Sequence, residues 1–139
     1  MLLLALAALL GASKSEIPPD RWACSNDVEV WCAVDSCAAR PEGETTPMAI
    51  SARGDGAFSV CAYSGCWEGK AKVADVGGRL LWAADDVPFS SPPEGGFTAD
   101  VSLLIVAAEG VGFVRVGGIA SPLLCLRRTV DGEAAPDGG

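Results

Sequence analysis

The chain has no histidine, one asparagine, one tyrosine and three lysines in 139 residues. Without histidine, neither a Ser-His-Asp nor a Cys-His arrangement can be assembled. A serine–lysine pair remains formally open, but neither Lys70 nor Lys72 lies in a Ser-x-x-Lys box. The lone Asn26 is followed by Asp27-Val28, which is no glycosylation sequon. Beyond the first residues no apolar run is long enough to cross a bilayer as a helix. Val101–Ala108 has strand length, whereas a spanning helix needs about 20 apolar residues. Glycine-rich stretches such as Gly54-Asp55-Gly56 and Gly117-Gly118 sit at turns and do not lead into a helix, so they imply no phosphate cradle.

Positive charge is also scarce. Ten Lys and Arg stand against 18 Asp and Glu, a net charge of −8 and a pI near 4.3. Binding to nucleic-acid phosphates needs clustered cations, so that class is disfavoured, and an anionic membrane surface with it. A cationic protein partner would be attracted, although an acidic surface also serves solubility.

What the chain does have begins with Met1–Ser13, an apolar stretch ending in small residues. It is too short to span a membrane and fits the hydrophobic region of a secretory signal peptide, with cleavage after Ala12 or Ser13. It lacks the usual preceding Lys or Arg, and Ser13 stands where a lipoprotein box needs Cys. The Ala-, Gly-, Val- and Arg-rich composition suits a GC-rich bacterial coding sequence, which makes the expected destination the periplasm or the medium. Residues 14–128 are expected to form a single domain. Residues 129–139, small and acidic, read as a disordered tail.

Six cysteines, Cys24, Cys32, Cys37, Cys61, Cys66 and Cys125, suit three disulfides in an oxidising compartment. Cys32 to Cys37 and Cys61 to Cys66 share one spacing, with turn-forming residues before the second cysteine. Cysteines facing each other across a tight hairpin meet the distance a bridge requires, which favours Cys61–Cys66 as a local bridge. Cys125 then ties the chain ends together, with Cys24 as a candidate partner. A thiolate metal site is disfavoured, because an exported chain without histidine would need four reduced thiols. No C-x-x-C redox pair is present. No metal or cofactor is expected.

Short strand-like segments recur at roughly 10-residue spacing, joined by Gly-rich turns, with no convincing amphipathic helix. Arg21–Ala38 is expected to hold two short strands around Ser25-Asn26-Asp27, and Arg40–Pro47 to be a polar loop. Met48–Arg53 and Ala57–Tyr63 read as a hairpin across Gly54–Gly56. Cys66–Ala74 alternates most cleanly, with Trp67, Gly69, Ala71 and Val73 on one face and Glu68, Lys70 and Lys72 on the other. Arg79–Ala84, Val101–Ala108, Val111–Val116 and Ile119–Arg127 follow. The predicted fold is all-β, a small antiparallel meander barrel or sandwich of about eight strands, held by disulfides.

Asp85–Asp100 breaks the rhythm. Its Pro- and Gly-rich sequence is expected to be a long loop, and such loops often carry function. Asp85, Asp86, Phe89 and Phe97 are the candidate binding residues, the two phenylalanines acting as apolar anchors or as a cap on the barrel end. Glycosidase-type chemistry needs two carboxylates facing across a cleft, and nothing in the sequence orients Glu68, Asp85 or Asp86 towards one another. Tyr63, Trp67 and Trp82 could stack on sugar, but the two tryptophans fall on predicted core faces.

The expectation is therefore an exported, soluble, non-enzymatic binding or interaction module, inhibitor-like or part of the envelope. The alternative is a carboxylate-dependent hydrolase acting on cell-wall sugar. A third option is a structural role in which Phe89 and Phe97 dock a partner subunit. In general type, a small acidic disulfide-bonded barrel resembles the periplasmic lysozyme inhibitors. That resemblance implies capture of a cationic enzyme and is carried by no particular motif.

Overall fold

The computed structural model describes residues 20–91 and 96–128. The expected signal peptide at 1–13 and acidic tail at 129–139 lie outside the described residues. Every regular element among those described is a strand: β1 Arg21–Ser25, β2 Val30–Cys32, β3 Cys37–Ala39, β4 Ala49–Arg53, β5 Ala57–Ala62, β6 Gly65–Lys70, β7 Lys72–Asp75, β8 Arg79–Pro88, β9 Thr98–Val106, β10 Val111–Val116 and β11 Ile119–Arg128.

Nine of them follow one antiparallel path, β6-β5-β4-β1-β11-β10-β9-β8-β7. The path bends back on itself until β6 meets the upper part of β8. There Trp67 and Phe89 form an antiparallel bridge and the Ser90 amide donates to the Cys66 carbonyl at 2.8 Å. The sheet is thus nearly closed into a barrel. β2 and β3 form a side hairpin that joins the path where Trp31 pairs with Ile119 at the start of β11.

The expected strand Cys66–Ala74 is in fact two. Ala71 separates β6 from β7, and its amide donates to the Gly56 carbonyl at 2.9 Å. β6 pairs with β5 while β7 pairs with β8, so this one segment runs from one edge of the sheet to the other. Hydrophobic alternation reports which face a residue takes and is blind to a change of neighbour. The expected loop Asp85–Asp100 is also shorter than the sequence suggests. β8 continues through Asp85 and Asp86 to Pro88, and β9 begins at Thr98. A bulge between Ala84 and Val87 absorbs the irregularity. Asp86 adopts a φ of 51°, and its amide donates to Asp100 Oδ1 at 3.0 Å.

Inward-facing residues fill the interior as period two requires. Trp22, Ile50, Val60, Trp82, Leu103, Ile105 and Val114 are all buried in one cluster. The indole N–H of Trp82 donates to the Arg53 carbonyl at 2.8 Å, which satisfies the one polar atom that this ring brings inside.

Three disulfides join Cys24 to Cys125, Cys32 to Cys37 and Cys61 to Cys66, so both the local bridge and the end-to-end bridge expected from the spacing are present. Each links residues directly opposed on neighbouring strands. Three bridges are consistent with an oxidising, extracellular environment. Among the described residues no helix is long and apolar enough to cross a membrane.

Candidate functional site

Because neighbouring strands are antiparallel, the turns sort onto two ends. One end, the base, carries the turns at 54–56, 76–78 and 107–110, together with Asp20 and Arg128. The other, the mouth, carries Tyr63-Ser64, the Phe89–Phe97 connection, Gly117-Gly118 and the β2–β3 hairpin.

At the mouth lies a cleft of about 360 Å³ lined by Trp31, Ser64, Trp67, Phe89, Phe97 and the Val116–Ile119 turn. Two sequence candidates, Phe89 and Phe97, meet here. Their ring centroids are 6.2 Å apart, and Trp67 lies 4.5 Å from Phe89 and 5.9 Å from Phe97. The Phe89 amide donates to the Phe97 carbonyl at 2.9 Å and so closes the neck of the connection. Ser90 secures it to β6: its Oγ accepts from the Cys66 amide at 2.8 Å, beside the Cys61–Cys66 bridge. Gly65 makes this approach feasible, since a Cβ there would stand 2.8 Å from Ser90 Oγ and 3.0 Å from Phe89.

The other two candidates are elsewhere. Asp85 and Asp86 line a shallow groove on the barrel wall, between β6 and β8, with Glu68, Lys70 and Lys72. The structure therefore divides the four sequence candidates between an aromatic cleft and a mixed-charge groove. Trp67 and Trp82 are both buried, as expected, but Trp67 also forms the floor of the cleft. Its Nε1 has no hydrogen-bond partner among the described residues, an arrangement that normally costs about 1–3 kcal/mol.

Sequence reading missed Trp31 and Glu29. Trp31 is 41% exposed, yet it is held on several sides. Its Nε1 donates to Glu29 Oε1, and the Arg40 guanidinium lies 5.4 Å from the ring centroid. The ring also lies so close to Gly118 that a Cβ there would stand 2.8 Å away. Glu29 is fully buried. Its Oε2 accepts from the Thr46 amide at 2.5 Å, and Arg40 Nε lies 3.7 Å from Oε1. Burial pushes the carboxyl pKa up, but the Thr46 and Trp31 hydrogen bonds and the Arg40 charge outweigh it and hold the group below its ordinary value. Glu29 is thus a buried anion that fixes the β2–β3 hairpin and aims an indole. The only hint in the sequence is an acid inside the apolar run Val28–Trp31, a pattern shared by many solvated acids.

Cys61, Cys66 and Glu68 lie close enough to hold a metal ion, but both sulfurs are committed to a disulfide. No protein-family model, no curated protein and no solved structure matches the chain.

Proposed function

We propose that this protein is an exported, non-enzymatic binding module whose recognition site is the aromatic cleft at the barrel mouth. One observation carries the reading: four aromatic rings from separate segments converge on one cleft, with Trp31 and Phe97 each more than two-fifths exposed. Preformed apolar pockets with few polar groups are the usual form of a recognition site, and half-exposed aromatics are the usual anchors of interfaces. The apolar leader and the three bridges support export to the periplasm or the medium.

The favoured partner is a cationic protein. The connection between β1 and β4, which borders the cleft through β2, exposes Asp27, Asp35, Glu42 and Glu44 against Arg40 alone, Glu29 being buried. Such a surface steers a basic partner and weakens with salt. The test is affinity capture from the native envelope fraction with the oxidised protein as bait, run beside Trp31→Ala and Phe97→Ala baits. A partner retained by the native bait and lost from both variants supports the reading. A partner held equally by all three removes the cleft from it.

The alternative, a carboxylate-dependent hydrolase, would work in the groove where Glu68, Asp85 and Asp86 come together. Hydrolysis of cell-wall glycan that disappears in Glu68→Gln or Asp85→Asn would establish it in place of the binding reading.

A further inference from the structure

The base of the barrel carries a different chemistry from the mouth. Arg21 on β1 stands directly opposite Arg128 on β11 and directly opposite Arg53 on β4. All three are exposed, while the neighbouring Trp22 and Ala52 are buried. The arginines therefore share the outer face, one strand spacing apart. Lys70 on β6 stands two strands beyond Arg53, opposite Ala57, the first residue of β5. Like charges placed directly opposite each other on adjacent strands destabilise a sheet. Among the described residues only Arg53 is relieved, by Asp55 at 3.1 Å. Arg21 and Arg128 have no carboxylate within ion-pair distance among the described residues. Arg127, which alternates to the other face, is the one that pairs with Asp20.

The same face of β11 then turns apolar. Leu126 is 66% and Leu124 61% exposed, and Phe113, opposite Pro122, is 51% exposed. A run of uncovered large side chains bordered by guanidinium groups has two halves that ask for one ligand. Planar guanidiniums match phosphate oxygens, and the leucines offer a surface to hydrocarbon.

We infer that this face is a docking site for an anionic phospholipid, the phosphate on Arg53, Arg21 and Arg128 and the acyl chain along Leu126 and Leu124. The net charge of −8 argues against such a surface only if charge is spread evenly. It is not. Of the acids at the base, Asp20 and Asp55 are paired with Arg127 and Arg53, leaving Asp75 and Glu109. The acids of the mouth lie beyond β11, whose ten residues span about 33 Å, several times the screening length of about 8 Å at physiological salt. The inference is independent of the mouth cleft.

Flotation of the oxidised protein with phosphatidylcholine vesicles, with and without phosphatidylglycerol, tests it. The protein should float only with the anionic vesicles. Each arginine removed in Arg21→Gln and Arg128→Gln should lower partitioning about fivefold, and Leu124→Ser/Leu126→Ser should lower it without moving the thermal midpoint. Absence of flotation, or flotation indifferent to the arginine variants, overturns the inference. Complete displacement by inorganic phosphate would reduce the face to a simple anion site and overturn its apolar half. Light scattering that shows a dimer dissolved by the leucine variants, with no flotation, would assign the face to a second copy of the chain instead.

Discussion

Cys24 on β1 and Cys125 on β11 are directly paired across the sheet, buried and disulfide-bonded, although 101 residues separate them in sequence. This bridge joins the first and last strands at the centre of the nine-strand path, where β1 sits between β4 and β11. The other two bridges each close a separation of only five residues. If loop entropy dominates, the long bridge should stabilise the fold by about 4–5 kcal/mol and each short one by about 2. Denaturant unfolding of Cys24→Ala/Cys125→Ala against Cys61→Ala/Cys66→Ala should show the larger fall in the first.

Glu29 should dominate the acid limb of stability. Its folded pKa lies below the ordinary 4.5, so its contribution is fully present above that value. It is lost as pH falls through the lowered folded pKa. Glu29→Gln should flatten the pH dependence of unfolding in the region below 4.5. Glu29→Ala should cost about 2–3 kcal/mol at neutral pH, because the Trp31 indole and the Thr46 amide both lose their acceptor.

Exposure separates the cleft residues by role. Phe97→Ala removes a half-exposed ring and should change thermal stability little while abolishing capture. Trp31→Ala should also abolish capture, but costs about 1–3 kcal/mol because the buried Glu29 carboxylate loses its indole donor. Trp67→Ala should cost about 3–5 kcal/mol, since that ring is also core. Comparable destabilisation by all three would mean that the aromatics only plug the barrel end.

Gly118→Ala offers a subtler test. The new methyl would collide with the Trp31 ring, and overpacking of this kind costs about 1–3 kcal/mol. The expected signature is a changed near-ultraviolet dichroism of Trp31 and weakened capture, with the far-ultraviolet spectrum of the sheet preserved.

Much of the architecture was legible because it is local. Alternation at Trp67–Val73, turn glycines at 54–56 and 77–78, and paired cysteines five apart each depend on nearest neighbours along the chain. The sequence even marked Phe89 and Phe97, since a Pro- and Gly-rich break with two aromatics is visible in one dimension. It misplaced Asp85 and Asp86 because a bulge with one left-handed residue lets a strand run through a segment that reads as loop.

Sequence alone determined the strand periodicity, the even cysteine count and the absence of histidine chemistry, since composition and alternation need no partner to be read. Tertiary structure decided the rest: that Trp31 joins Trp67 and the phenylalanines, that Glu29 is an interior anion, and that Arg53, Arg21 and Arg128 stand abreast. These are facts of register between strands far apart in the chain. Register is set by how the whole barrel buries its inner face, which no single segment encodes.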